Sequence, residues 1–223
     1  MFKSFKEAIG GYQHPFQHGE RTLKKMIQVY NDVFEETTVD EVITFVDSHR
    51  RGSASIGTPE DARIEKKVRD AQQVECSSPD FDPLRKKLIR RISDCLHKYL
   101  IKVKLNEAYD LENFRVDGDI GLVVYEPGSL GYRPHNDANC QDWKLSNRIL
   151  SVVSYFNDDF SGGDLYFPDL NKRISPKRNS CVIFPSSPLF THGASSVIRG
   201  RKVISPGWWG YELPNIFHRG SII

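Results

Sequence analysis

The triplet His135-Asn136-Asp137 sets an imidazole and a carboxylate two residues apart. In extended chain, alternate side chains leave the same face, so both can converge on one ion. A third nitrogen is offered by His192, inside the separate segment Phe190-Thr191-His192-Gly193. Two histidines and one carboxylate on one side of a metal leave open coordination positions. That donor set suits non-haem Fe(II), which must still accept a bidentate cosubstrate and O2. Zinc is more often closed by a fourth protein ligand or left with one open position. His135, Asp137 and His192 are therefore the candidate iron ligands. Alone, His-x-Asp is usually a loop with a hydrogen-bonded histidine. The other histidines (His14, His18, His49, His97 and His218) have no comparable neighbour and read as surface or structural residues.

The elements that must carry these ligands lie in the second half of the chain. Short apolar or alternating runs occur at Ile120–Tyr125, Ile149–Phe156, Asp164–Phe167, Ser180–Phe184, Ala194–Ile198 and Val203–Tyr211. Gly, Pro, Asn and Asp separate them, which predicts an all-β sandwich or barrel. The first half reads differently. Thr38-Val39-Asp40-Glu41 has the form of a capping box and predicts a helix to about His49. Arg51–Pro59 reads as an exposed loop. Asp82-Pro83 predicts an N-cap with proline at the first helical position. Beyond it Leu84, Leu88, Ile92, Cys95, Leu96 and Tyr99 recur every three or four residues, the apolar stripe of a helix laid on a larger body. Helices first and strands later predict an α+β, mainly β chain, with a helical layer (1–110) packed on a β core (111–223) in one domain spanning 1–223.

Composition bounds the partners. With 27% charged residues and a net charge of only +2, nothing argues for nucleic acid or an anionic membrane surface. No apolar stretch reaches the length of a membrane helix. Cys76, Cys95, Cys140 and Cys181 are scattered, which predicts free thiols and a cytoplasmic location. The N-terminus carries no secretory pattern.

The stretch Tyr125-Glu126-Pro127-Gly128-Ser129-Leu130-Gly131-Tyr132-Arg133-Pro134-His135-Asn136-Asp137 resembles the prolyl 4-hydroxylase branch of the 2-oxoglutarate/Fe(II)-dependent dioxygenases. The likeness continues through Arg148–Asn157, Ser161–Phe167, Ser180–Pro185, His192 and Gly200-Arg201-Lys202, in the family's order, over residues 120–211. The resemblance implies a double-stranded β-helix (a distorted jelly roll) with iron at its open end. It implies Fe(II), 2-oxoglutarate and O2 as cofactor and cosubstrates, and allows ascorbate. It also implies a basic residue after the distal histidine that pairs with the far carboxylate of 2-oxoglutarate, as a buried carboxylate requires. Lys202 stands at the collagen-type spacing, ten residues after His192. Arg201 is the alternative, and strand alternation lets only one of the two face inward. Tyr125 and Tyr155 match tyrosines that contact 2-oxoglutarate in the hypoxia-factor type; both also suit a core aromatic with a satisfied hydroxyl. Arg148 matches a position near the substrate entrance, and Trp208 an aromatic that follows the basic residue; a surface arginine and a pocket wall are the plainer readings.

The activity so implied is hydroxylation of prolyl residues in a protein or peptide, with release of succinate and CO2. The alternative is hydroxylation of another side chain or a free small molecule at the same site. A peptide substrate predicts an open groove, with loops such as Asn139–Asn147 at its edge. A jelly-roll binding module would have lost part of the triad or the basic anchor. A 2-oxoglutarate-independent cupin would lack the Gly200-Arg201-Lys202 segment.

Overall fold

A computed structural model describes residues 22–56, 62–105, 114–116, 120–138 and 148–211. The larger sheet contains β1 (Gln28–Asn31), β2 (Arg51–Ser53), β4 (Gln72–Val74), β5 (Phe114–Val116), β6 (Val123–Tyr125), β8 (Leu150–Tyr155), β12 (Ser180–Pro185) and β15 (Lys202–Tyr211). Its spatial order is β1-β12-β8-β15-β6-β4-β2, with β5 also on β15. The smaller sheet contains β3 (Arg69–Asp70), β7 (Gly131–His135), β10 (Leu165–Phe167), β11 (Lys172–Ile174) and β13 (His192–Ala194), in the order β11-β10-β13-β7-β3. A short pair, β9 (Ser161–Gly162) with β14 (Val197–Arg199), completes the described strands. The ladders are antiparallel, and many partners are far apart in sequence, as a jelly roll requires.

Side-chain alternation divides the larger sheet into two faces. Leu150, Val152 and Phe156 point with Cys181, Ile183, Val203 and Trp209 into a core shared with the helices. Tyr125, Val153, Tyr155, Val182, Phe184 and Ile204 point the other way, against Leu165 and Phe167 of the smaller sheet. The first core is closed by α1 (Glu36–Ser48) and α2 (Phe81–Lys102). Leu84, Leu88, Ile92, Cys95, Leu96 and Tyr99 of α2 are all buried, the stripe that the sequence predicts. The Tyr99 hydroxyl donates to the Met26 carbonyl at 2.9 Å, so even its polar tip is partnered.

Several boundaries correct the sequence reading. Helix α1 opens at Glu36, not at Thr38, because the amides of Thr38 and Val39 both donate to the Glu35 carbonyl and draw Thr38 into the first turn. Neither Glu35 nor Asp80, the residue preceding α2, caps its helix with a side chain. Asp82 lies inside α2 and accepts from Arg85 at 2.6 Å. Arg51–Ser53, expected as loop, is β2, paired with β4 in the register Arg51↔Val74. Ala194–Ile198, expected as one strand, is broken: β13 ends at Ala194, Ser195 donates its amide to Asp164, and Val197 starts β14. The expected groove loop around Asn139–Asn147, and His14, His18, Cys140 and His218, lie outside the described residues.

Candidate metal and cosubstrate site

The ladder between β7 and β13 sets His135 directly opposite His192. Gly131, at the start of β7, makes that approach possible: its φ is +81°, and a Cβ there would stand 2.2 Å from the Ala194 carbonyl. Asp137 follows two residues after His135, as the chain leaves the strand. The nitrogen and oxygen ligand atoms of His135, Asp137 and His192 all lie within 4.8 Å of one another. The His135 Nε2–Asp137 Oδ1 distance is 3.7 Å and the His192 Nε2–Asp137 Oδ2 distance is 3.5 Å. Those gaps are too long for hydrogen bonds, and close to the ~3 Å that separates neighbouring ligands about 2 Å from an ion.

Protonation states suit an ion as well. The Nδ1 atoms of His135 and His192 face the carbonyls of Arg133 (2.8 Å) and Phe190 (3.0 Å). A carbonyl only accepts, so each Nδ1 is the donor, and in the neutral ring Nε2 turns its lone pair toward the centre. Burial, and then His192, push His135 down to about 4, which keeps it neutral near pH 7. Burial pushes Asp137 up, but His192, His135 and donors from Ser151 and Trp208 together hold it below its ordinary value. Ser151 Oγ donates to Asp137 Oδ2 at 2.6 Å and lies 2.7 Å from Ser186 Oγ. Aromatic walls enclose the triad: Tyr132 stacks on His135 at 3.7 Å, and Phe184 meets His192 edge-on at 4.7 Å. Among the described residues no other group of His, Cys, Asp and Glu could hold a metal.

The two adjacent cations part company. Lys202 is 2% exposed; its Nζ donates to the Gly163 carbonyl at 2.9 Å and lies 4.4 Å from the Tyr125 ring centre. Burial pushes it down to about 7. Arg201 turns outward and forms a two-pronged pair with Asp47 of α1. Tyr125 and Tyr155 are both buried, and burial raises both hydroxyls. The Arg148 guanidinium lies 3.8 Å over the Trp208 ring, whose other contact is the donation to Asp137.

Sequence reasoning missed Arg69. Its strand β3 pairs with β7, which sets the guanidinium 5.1 Å from the Tyr132 ring and in hydrogen-bond contact with the Tyr125 hydroxyl. Its Nε is buried with no partner. A two-residue strand has no periodicity to find, so only the contact with two site tyrosines reveals it. Ser151 carried a fainter signal: one of two serines in a mostly apolar run, on the face opposite Leu150 and Val152.

Residues 120–210 match the model of the 2OG-Fe(II) oxygenase superfamily. Across 199 residues, 81% of this chain and 72% of the relative, the sequence is 26% identical to a putative prolyl 4-hydroxylase of Acanthamoeba polyphaga mimivirus. The fold is similar to viral collagen prolyl hydroxylase from Paramecium Bursaria Chlorella virus-1 in its 2OG complex. There the TM-score is 0.57 at 16% identity, over 85% of this chain and 97% of the other. It is also similar to the prolyl hydroxylase of Trichoplax adhaerens in complex with a hypoxia inducible factor oxygen degradation domain peptide fragment (TM-score 0.59, 15% identity, 91% and 94% of the chains). The family match encloses the whole His-Asp-His cluster, so over that span the chain is similar to the 2OG-Fe(II) oxygenase superfamily at the residues that would hold the iron.

Proposed function

We propose that the chain hydroxylates prolyl residues of a protein or peptide, with His135, Asp137 and His192 holding Fe(II) and Lys202 receiving the far carboxylate of 2-oxoglutarate. The observation that carries the cosubstrate assignment is the buried Lys202 ammonium. It meets no carboxylate within ion-pair distance among the described residues, and a buried cation is stable only with such a partner. When bound, Fe(II), 2-oxoglutarate and O2 would supply the oxidising chemistry, one oxygen atom going to succinate as CO2 is lost and the other into a substrate C–H bond. The chain's own residues do the rest. Ser151 and Trp208 hold the Asp137 carboxylate anionic and oriented, the two histidine tautomers are fixed by backbone carbonyls, and Tyr125 and Tyr155 form the dry wall beside the anchor. Arg148 stacked on Trp208 stands at the substrate side. The prolyl substrate rests on the likeness to prolyl hydroxylases over most of the chain.

We further read the chain as one catalytic domain, since Val39, Leu88, Val124 and Trp209 share one core across both halves. Cys95 and Cys181, buried and outside any disulfide, support a reducing, cytoplasmic location. The test begins with anaerobic Fe(II) titrated with 2-oxoglutarate. A weak visible charge-transfer band is expected, absent in Asp137→Ala. Proline-containing peptides are then incubated with O2 and read by mass spectrometry for one added oxygen on proline. Absence of the band in folded, iron-loaded protein overturns the site assignment. A band with oxygen added only to other residues, or to a small molecule, overturns the prolyl reading alone.

A further inference from the structure

We propose that Asn157 is a positioning residue that fixes Lys202 toward the cosubstrate chamber, an inference that rests on the anchor role given to Lys202 above. The ladder between β8 and β15 ends at Tyr155↔Ile204, just short of Lys202. Beyond it, the Asn157 side chain takes over the pairing. Its Oδ1 accepts from the Val203 amide at 2.8 Å, and its Nδ2 donates to the Arg201 carbonyl at 2.7 Å. Nδ2 also donates to Asp159 Oδ1 at 2.6 Å. The orientation of this amide is unambiguous, because Val203 N–H can only donate and the Arg201 carbonyl can only accept.

The two bonds bracket residue 202. On the opposite edge Lys202 is paired with Tyr125 of β6, and the Phe156 amide donates to the Val203 carbonyl at 3.1 Å, so on the β8 side only the Asn157 side chain reaches both residues that flank Lys202. In a strand, a slip of one residue exchanges the faces of all its side chains. Here it would carry Lys202 out and Arg201 in. Asn157 is itself buried, with 8% exposure, so water does not replace its bonds cheaply. The turn that leads into Arg201 is equally confined. Gly200 has φ +69°, and a Cβ there would stand 2.4 Å from the Asp159 carbonyl. Gly163, whose carbonyl accepts from Lys202 Nζ, lies close against that side chain: it has φ +68°, and a Cβ there would stand 3.1 Å from Lys202 Cδ.

The test compares two 2-oxo acids on the Fe(II)-loaded protein without oxygen, using the charge-transfer band to obtain Kd. One is 2-oxoglutarate; the other is 2-oxopentanoate, which chelates iron alike but lacks the far carboxylate. In the wild type the first binds more tightly, and Lys202→Ala removes that preference. Asn157→Ala is expected to reduce the preference by about tenfold or more, the scale of an outer-shell loss, with 2-oxopentanoate and Fe(II) binding within about twofold of wild type. A general structural defect would instead weaken both acids and the metal together. That result, or an unchanged preference, overturns the proposal. If Asn157→Ala does not fold, Asn157→Asp decides. It keeps the acceptor for Val203 but faces the Arg201 carbonyl with an oxygen, so the preference must fall in the same direction; a wild-type preference overturns the inference. A preference intact in Lys202→Ala removes the anchor assignment itself, and this inference with it.

Discussion

The two faces of strands β8 and β15 use the same backbone for opposite purposes. On the helix side Leu150, Val152, Val203 and Trp209 are surrounded by apolar residues from α1, α2 and neighbouring strands, and their contributions overlap. On the chamber side Ser151, Lys202 and Trp208 each meet a few defined partners: Asp137 and Ser186, the Gly163 carbonyl and the Tyr125 ring, and Asp137 and Arg148. A close-packed apolar face resists change through many small contacts. A chamber built from buried polar groups concentrates its function in a few atoms, each costly if left unmatched. One face packs the sheet onto the helices; the other uses that support to fix the geometry of the site. Substitutions should therefore separate cleanly: stability on one side, chemistry on the other.

The largest effect is expected at Asp137→Ala. It removes the only carboxylate of the triad, so Fe(II) binding should fall beyond the ~10–100-fold typical of outer-shell changes and turnover should reach background. Thermal unfolding of the metal-free protein should stay near wild type, because the same change removes a buried charge. A collapse of the metal-free fold would show that the triad is part of the core, and would break the division. Leu88→Ala tests the other side. Leu88 is fully buried on α2, and its loss should cost ~2–5 kcal/mol in urea unfolding while the Kd for Fe(II) below the transition stays within about twofold. A shift of metal affinity as large as that loss would mean that the helical layer and the chamber move as one.

The same division explains what the sequence could disclose. The helix-facing pattern was legible, since the α2 stripe and the apolar runs of β8, β12 and β15 are periodic and long. The triad was legible because His-x-Asp matches the two-residue period of a strand. The family likeness implied a basic anchor, and its spacing favoured Lys202 with Arg201 as the alternative; in the structure Lys202 is buried while Arg201 turns out to Asp47. Arg69 and β2 to β4 escaped for another reason. Strands of two or three residues with Arg, Asp and Gln present no apolar alternation, and their pairing with β6 and β7 is set by tertiary contact. The Thr38 capping box misled because the helix was already closed on Glu35 by backbone bonds.

Lys202 sharpens the comparison through pH. Burial lowers it to about 7, against an unfolded value near 10.4. Between those values the unfolded chain binds the extra proton, so the stability of the cosubstrate-free protein should rise with pH across that window and level off below about 7. Cosubstrate binding has the opposite sign. The dianion needs the ammonium, so above about pH 7 binding must take up a proton, and affinity should fall about tenfold per pH unit. Titration of Kd against pH checks this, and Lys202→Ala should flatten the profile. A flat profile in the wild type would mean that the ammonium is already charged before binding.

The smallest effect is expected at Asp47→Ala, and it probes the ion pair between the helical layer and the residue that leads into the anchor strand. The Arg201–Asp47 pair is two-pronged, but Asp47 is 51% exposed and Arg201 31%. Solvent and salt weaken such pairs, so the loss should be below about 1 kcal/mol and should shrink further at high salt. The Arg201 donation holds Asp47 below its ordinary carboxylate value, so whatever the pair contributes is present above that ordinary range and lost as pH falls through the lowered value. Affinity for 2-oxoglutarate should stay within about twofold, because Asn157 holds the backbone on both sides of Lys202 without help from α1. A loss as large as that of Asn157→Ala would place the control of the anchor in the helical layer, and the two faces of β15 would then be one mechanical unit.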